Sequence, residues 1–234
     1  MSIPAEYAQL FQQIAVGALP IIFAITLHEA AHGFVASWLG DDTAQRMGRV
    51  TLNPIKHIDP LGTIVLPLIL LLGSRGMFMF GYAKPVPVRF DRLNHPRRDM
   101  VYVALAGPAT NIILAILSAL LLYTAPYLPD FMQKWTVYSL LYSIDFNIII
   151  ALFNMIPLPP LDGGRVAVGI LPDALAIPLA RSERYGMLVL LAVLFVLPVL
   201  GQAIHMDLNI MAYILQPPFD WVRGLVFRIA GISE

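Results

Sequence analysis

The sequence predicts an all-α polytopic membrane protein with about four to six transmembrane helices, a re-entrant segment and a small β ribbon. Composition is the first reason: 58% of the residues are hydrophobic and only 13% are charged, whereas about 25% of the residues in soluble domains are charged. The second reason is that apolar runs with few charges recur along the chain, each near the ~20 residues that a helix needs to cross a bilayer. We therefore expect a single membrane-embedded domain over residues 1–234.

Net charge and cysteine content exclude several classes of protein. The formal net charge is zero, so no basic surface indicates nucleic-acid binding. The chain contains no cysteine, which excludes disulfides, thiolate metal sites and a cysteine nucleophile. Residues 1–13 contain no lysine or arginine, so a cleavable signal peptide is not expected.

The first predicted span, Ile14–Leu39, contains one charged side chain, Glu29. As a helix this segment is roughly 39 Å long at 1.5 Å per residue, which is enough to cross a bilayer. A charge near the middle of a membrane helix costs about 2.5–3.5 kcal/mol. We therefore expect Glu29 to have either a partner or a chemical function.

Two histidines accompany this glutamate at helical spacing. His28 and His32 are four residues apart, so on a helix they share a face and can bind one metal ion. Glu29 then lies close enough to take a proton from water at the metal, as in the H-E-x-x-H motif of zinc peptidases. The alternative is structural, with both histidines satisfied by neighbouring helices and Glu29 holding those helices together.

Between the first two spans the sequence predicts no complete crossing. Leu61–Leu72 is apolar but short, with Pro67 inside it, so we expect a re-entrant segment. Met77–Phe90 is rich in aromatic and β-branched residues, and its prolines confine it to an edge strand or an extended ribbon. Later apolar runs predict three further spans, at Met100–Leu128, Tyr138–Ile156 and Tyr185–Gly201. The last segment, His205–Glu234, is expected to be interfacial or a fifth, poorer span.

A catalytic zinc usually has three protein ligands, and several residues outside the H-E-x-x-H motif could supply the third. Asp162 has the most favourable setting, since prolines precede it and two glycines follow it, which lets the backbone approach closely. It could instead be a turn residue that caps the next helix. The other candidates are expected to cap or flank helices or to lie at the surface: Asp145, His57, His95 and His205.

Three stretches of the chain resemble the signatures of the site-2 protease family, whose members are membrane-embedded zinc metalloproteases that cut transmembrane segments of other proteins. The stretches are His28–His32, Gly107–Asn111 and Asn154–Gly164, in the family's order. The likeness covers about 14–168, which implies a catalytic core there, with C-terminal helices over 185–230.

The resemblance also implies roles for single residues. It assigns His28, His32 and Asp162 as the zinc ligands and Glu29 as the general base. It assigns Asn154 as a polar helper near the site. Zn²⁺ is the implied cofactor, and single-span or polytopic membrane proteins in the lipid bilayer are the implied substrates. The chain has no room for the PDZ domain of many relatives, so it resembles the minimal branch of the family. Homo-oligomerisation is left open.

The positions of the ligands constrain the topology. The two motif histidines lie in the second half of the first span and Asp162 follows the third, so they meet only if Leu61–Leu72 does not cross the bilayer. The basic stretches 46–98 and 165–184 then share one side, which the positive-inside rule makes cytoplasmic. We expect an integral protein of a bacterial inner membrane with its active site towards the cytoplasm.

The expected reaction is peptide hydrolysis in which Glu29 accepts a proton from water and returns it to the leaving amine. Asn111 or Asn154 could donate a hydrogen bond to the developing oxyanion. A substrate helix must unwind locally, and the ribbon could bind the unwound strand by edge pairing. Its expected donors are the backbone amides of Gly81, Tyr82, Ala83 and Lys84. A ribbon that only plugs the membrane surface is the alternative.

Two other functions remain open from the sequence. A metal transporter could use His28, His32 and Asp162 as transit ligands, but transporters commonly contain internal repeats and the sequence shows none. Glu29 also has no special use in a transporter. A catalytically inactive scaffold is disfavoured because every motif residue is present.

Overall fold

The computed structural model describes residues 5–66, 68–69, 81 and 84–232, and within these residues the regular structure is helical. The α-helices whose bounds fall in the described residues are labelled α1–α9 in chain order: Ala5–Trp38, Thr43–Arg46, Pro96–Leu121, Asp130–Asn154, Asp162–Ile170, Asp173–Arg181, Glu183–Leu191, Leu197–Ala203 and Ile210–Ile229. Short 3-10 and π-helical turns lie at Pro54–Lys56, Pro60–Val65, Phe90–Arg92, Leu122–Tyr127 and Ala192–Val196.

Four helical stretches of the described chain are long and apolar enough to cross a membrane: Ile14–Trp38, Pro96–Tyr127, Asp130–Asn154 and Glu183–Ala203. They confirm an all-helical polytopic membrane protein, and each one overlaps a predicted span. The largest difference in bounds is that α4 begins at Asp130 rather than at Tyr138, because the polar residues ahead of the apolar run are also helical. The C-terminal helix α9 is not among these four.

The small β ribbon expected at Met77–Phe90 is not seen, since no strand occurs in the described part of the chain. Residues 84–88 are irregular, and residues 77–80, 82 and 83 lie outside the described residues. Pro85 and Pro87 have no N–H and cannot donate to a strand ladder, which explains the irregular backbone. Of the expected re-entrant segment, residues 67 and 70–72 also lie outside the described residues, so that prediction stays untested.

Helix α1 ends in a Schellman motif that joins it to the segment before α3. Gly40 has φ of +108°, and the Asp41 amide donates to the Ala36 carbonyl at 2.9 Å. The buried Asp41 carboxylate then accepts the backbone amides of Thr43 at 3.0 Å and Arg89 at 2.6 Å. One buried carboxylate therefore holds two stretches of backbone that are far apart in the sequence, at Thr43 and at Arg89.

The main apolar core lies where α3, α4 and α9 meet. Small residues of α3 pack against residues of α4 and of the C-terminal part of α9 and its C-cap: Ala115, Ala119, Ile144, Ile148, Val226, Phe227 and Ala230. Small side chains let membrane helices approach closely. The Tyr123 hydroxyl, just after α3, donates to the Ala230 carbonyl at 3.0 Å, so the end of α9 is fixed to the end of α3.

The structure corrects the expectation that Asp145 flanks the end of its span. Asp145 lies well inside α4, and its Oδ1 accepts a hydrogen bond from Arg223 Nε of α9 at 2.8 Å. The Arg223 guanidinium also lies over the Phe227 ring, 4.6 Å from the ring centroid. A charge inside an apolar helix is thus compensated by a charge on the neighbouring helix.

His57 does not lie at the surface, but it does occupy a capping position, at the C-terminus of the short 3-10 turn Pro54–Lys56. His57 is buried, with 2% of its surface exposed, and its Nε2 donates to the Thr51 carbonyl at 2.9 Å. Its own carbonyl accepts the Lys84 amide at 2.9 Å, so it sits beneath the irregular segment. His95 and His205 are exposed as expected, and His95 occupies the N-cap position of α3.

The Asp145–Arg223 pair predicts a non-additive effect on stability. Asp145→Asn and Arg223→Gln should each lower the free energy of unfolding by about 2 kcal/mol, because each removes a charge-assisted hydrogen bond between α4 and α9. The double variant should lose clearly less than the sum. Unfolding in detergent measures all three variants, and strictly additive losses would show that the pair does not couple the two helices.

Candidate metal centre

Three side chains converge where α1, α3 and the first turn of α5 meet. The Nε2 atoms of His28 and His32 are 3.1 Å apart, and Asp162 Oδ2 lies 3.2 Å and 3.3 Å from them. All three side chains are largely buried. The structure therefore brings together the three residues that the sequence indicated as metal ligands.

The separations of these atoms fit a tetrahedral zinc ion. Bonds of about 2.0–2.1 Å at tetrahedral angles place ligand atoms about 3.3 Å apart, close to the three observed distances. Asp162 Oδ2 is buried and has no hydrogen-bond partner in the described part of the chain. Two imidazoles and a carboxylate are ligands that zinc takes in catalytic sites, so these residues fit Zn²⁺.

The contacts of the Asp162 carboxyl favour its ionised form. Burial raises its pKa, but the polar contacts with His28 and His32 outweigh burial and hold the pKa well below its usual range. Only the deprotonated carboxyl can bind a cation, so these contacts favour metal binding.

Acceptors on α3 hold the far nitrogen of each imidazole. His28 Nδ1 donates to Asn111 Oδ1 at 2.6 Å, and His32 Nδ1 donates to the Val103 carbonyl at 2.7 Å. A proton on Nδ1 leaves the lone pair on Nε2, so these contacts select the tautomer that can bind a metal.

The sequence after α4 explains how Asp162 reaches the histidines. Asp162 is the first residue of α5, and Leu161 occupies the N-cap position, so the capping alternative for Asp162 is not observed. A Cβ on Gly163 would collide with the Met155 carbonyl. Because only glycine allows the backbone to approach this closely, the Leu-Asp-Gly-Gly stretch positions the carboxylate.

Glu29 lies beside the cluster and contacts the irregular segment. Its Oε2 accepts the Val86 amide at 2.8 Å. The same segment is held by buried Arg49, whose Nη2 donates to the Lys84 carbonyl at 2.7 Å. The expected general base is therefore oriented by a backbone N–H of a segment far away in sequence.

Two of the four residues whose amides are expected to bind substrate, Gly81 and Lys84, fall within the described part of the chain. The Lys84 amide donates to the His57 carbonyl at 2.9 Å, so in this structure it is bonded within the chain. Gly81 is exposed. Tyr82 and Ala83 lie outside the described residues, so substrate binding by this stretch stays a prediction.

Asn111 is buried, and its side chain bonds to two neighbouring helices, α1 and α4. Its Oδ1 accepts from His28 on α1, and its Nδ2 donates to the Ala24 carbonyl at 3.3 Å and to Asn147 Oδ1 of α4 at 2.8 Å. These contacts are those of a residue that holds His28. An oxyanion role would require its nitrogen to leave both acceptors.

Asn154, the other expected oxyanion donor, is the last residue of α4 and is half-buried. Its Nδ2 donates to the Ile150 carbonyl of its own helix at 3.0 Å. Among the described hydrogen bonds, none links Asn154 to the ligand residues, so its role as a polar helper remains a prediction.

The sequence analysis missed the function of Gly107. A Cβ at this position would lie 2.5 Å from both His28 Cε1 and His32 Nε2. Real Cβ atoms do not make such contacts, so a glycine is what allows α3 to lie against the two imidazoles. The only signal in the sequence was the place of Gly107 in the Gly-Pro-Ala-Thr-Asn stretch.

Comparison with known proteins agrees with this geometry. Residues 130–197 match the sequence profile of peptidase family M50. Over 216 residues the chain is 41% identical to a Bacillus subtilis protein named "Putative zinc metalloprotease YwhC", covering 90% of this chain and 89% of that protein. The chain belongs to the M50, or site-2 protease, family.

Two mycobacterial relatives carry the same zinc metalloprotease description under the name Rip2. The Mycolicibacterium smegmatis protein is 30% identical over 200 residues, which cover 85% of this chain and 72% of the relative. The Mycobacterium tuberculosis H37Rv protein is 30% identical over 236 residues, which cover 99% of this chain and 79% of the relative. No solved structure matches the chain. Family membership confirms the resemblance inferred from the motifs and supports a metalloprotease.

The close approach at Gly107 makes a prediction about zinc binding. Gly107→Ala should weaken zinc binding at least about 10-fold, because the added methyl group displaces both imidazoles and their supporting contacts. Gly224→Ala in α9 is the matched control, since nothing lies within 4 Å of its added Cβ. Competition with a chromophoric chelator measures both affinities. A wild-type zinc Kd in Gly107→Ala would contradict the proposed packing of α3.

Proposed function

We propose that this chain is an intramembrane zinc metalloprotease that hydrolyses peptide bonds within or near transmembrane segments of membrane proteins. The observation that carries the proposal is the tetrahedral spacing of His28, His32 and Asp162. Both histidines and Glu29 lie on a helix that is long and apolar enough to cross a membrane. A peptidase whose ligands lie on such a helix is suited to substrates within the bilayer.

Zinc held by the two imidazoles and the carboxylate would polarise the scissile carbonyl and make a water molecule more acidic. Glu29 follows His28 directly, so we assign it the transfer of the water proton to the leaving amine. The Val86 amide holds Glu29 Oε2, which leaves the transfer to the other carboxylate oxygen. Asn111 and Val103 keep the imidazoles in the metal-binding tautomer.

The substrate must present an extended peptide to this site, because a helix hides its scissile bond in its own hydrogen bonds. We propose that the stretch Gly81–Lys84 binds the unwound substrate. Its neighbour Val86 contacts Glu29, which supports a location close to the reacting groups. Binding through Lys84 would require its amide to leave the His57 carbonyl.

We further propose an inner bacterial membrane and an active site on the cytoplasmic side. The two basic stretches meet in space, since Arg97 at the start of α3 bonds to Asp173 at the start of α6 at 2.6 Å. Positive residues cluster on the cytoplasmic side of membrane proteins, which supports this orientation.

Substitution of the site residues should separate zinc binding from chemistry. Alanine at His28, His32 or Asp162 should lower the zinc content of the purified protein and abolish cleavage. Glu29→Gln should keep zinc but lower cleavage by about 10²–10⁴-fold, because general acid–base catalysis is worth that much.

The assay incubates purified protein with single-span substrates, with and without a zinc chelator, and measures bound metal by atomic emission. Full cleavage by Glu29→Gln would refute the assignment of the base. Cleavage that survives complete removal of zinc would refute the metalloprotease proposal.

The proposed orientation can be measured with single cysteines, since the native chain has none. Asn94→Cys and Ser182→Cys should react with an impermeant maleimide only after the cells are permeabilised. Tyr127→Cys, between α3 and α4, should react in intact cells because Tyr127 is highly exposed and lies at the opposite end of both helices. Labelling of Asn94→Cys in intact cells would rule out this topology.

A further inference from the structure

We infer that Asn147 is a positioning residue for the zinc ligand His28 and acts through Asn111. The inference rests on the proposed zinc site and concerns a residue outside every motif of the sequence. Asn147 lies in the second half of α4 and has 1% of its surface exposed. A buried polar side chain in a membrane helix is costly, which favours a specific function for it.

A continuous chain of hydrogen bonds links Asn147 to the metal centre. His28 Nδ1 donates to Asn111 Oδ1 at 2.6 Å. Asn111 Nδ2 donates to Asn147 Oδ1 at 2.8 Å, and Asn147 Nδ2 donates to the Ser143 carbonyl at 2.8 Å. Every donor in this series points away from the metal centre, so the hydrogen bonds all run in one direction, from α1 through α3 to α4.

A backbone carbonyl sets this direction. The Ser143 carbonyl can only accept, so Asn147 turns its nitrogen towards Ser143 and its oxygen towards Asn111. That oxygen also can only accept, so Asn111 turns its nitrogen towards Asn147 and its oxygen towards His28. An oxygen facing Nδ1 of His28 requires a proton on Nδ1, and Nε2 then keeps the lone pair that binds a metal.

The other contacts of Asn111 do not replace Asn147. The Ala24 carbonyl also accepts from Asn111 Nδ2, but at 3.3 Å rather than 2.8 Å. Without Asn147, this longer contact alone opposes a flip of the Asn111 amide. A flipped amide would present a donor to His28 Nδ1 and would favour the tautomer with a proton on Nε2, which cannot bind zinc.

The test uses Asn147→Leu, which removes the acceptor and keeps a side chain of similar size. Its zinc Kd, measured by chelator competition, should be about 10–100-fold weaker than wild type, the usual effect of losing a residue that supports a metal ligand. Asn147→Ala gives the same comparison if the leucine variant is not recovered. Asn147→Asp should bind zinc more tightly than either, because a carboxyl in either protonation state can still accept from Asn111.

Two neighbouring serines provide matched controls. Ser143 Oγ and Ser118 Oγ are 2.8 Å apart at the same contact between α3 and α4. Ser143→Ala removes the longer contact of Asn147 Nδ2 with Ser143 Oγ, at 3.3 Å, but keeps the backbone carbonyl at 2.8 Å that sets the direction. Ser118→Ala removes only the hydroxyl contact between the two serines. Both should keep a zinc Kd close to that of wild type.

The tautomer of His28 provides a readout that needs neither zinc nor cleavage. In zinc-free protein labelled with ¹⁵N-histidine and held at alkaline pH, the spectrum of wild type should show His28 protonated on Nδ1. Asn147→Leu should show a population protonated on Nε2, and Asn147→Asp should not. The His28 signal is assigned by its loss in His28→Ala.

Three outcomes would overturn the inference: a wild-type zinc Kd in Asn147→Leu, an unchanged His28 tautomer in that variant, or an equal loss of zinc affinity in Ser118→Ala. The last would show that the packing of α3 on α4, and not the direction of the hydrogen bonds, supports the site. Failure of the wild-type protein to bind zinc would refute the proposed function instead, and the tautomer comparison would still decide the role of Asn147.

Discussion

The convergence of His28, His32 and Asp162 is the constraint on which the rest of this structure depends. Ionisable groups in an apolar helix bundle are stable only when they are paired or bind a metal, and these three groups lie 3.1–3.3 Å from one another. To meet, the end of α4 must return the chain to α1 within a short loop. The prolines before Asp162 stop the helix, and Gly163 lets the loop and α5 pack closely.

Helix α3 holds the two imidazoles through three residues spaced four apart. Val103 and Asn111 supply the acceptors for His32 and His28, and Gly107 between them leaves room for both rings. Residues at this spacing share one face of a helix, so a single helix face sets the separation, the orientation and the tautomer of both ligands. Asn111 then continues to Asn147, which connects the third helix of the bundle to the same site.

Polar side chains, and not a strand ladder, hold the segment that contacts Glu29. Arg49 binds the Lys84 carbonyl, Glu29 binds the Val86 amide and Asp41 binds the Arg89 amide. Prolines in this segment remove amides that a ladder would need. Side-chain carboxylates accept the amides of Val86 and Arg89, and the His57 carbonyl accepts the amide of Lys84. The expected general base is therefore also part of what holds this segment in place.

The sequence by itself predicted the class of protein, the spans and the candidate site residues His28, Glu29, His32 and Asp162, because hydropathy, helical spacing and proline or glycine breaks are properties of neighbouring residues. Only the tertiary structure showed that Asp145 pairs with Arg223, that His57 is buried and that Asn147 reaches His28 through Asn111. Each of these depends on which faces of distant helices meet. Helix packing decides that, and a polar residue in an apolar run does not reveal from its neighbours which distant group it will contact.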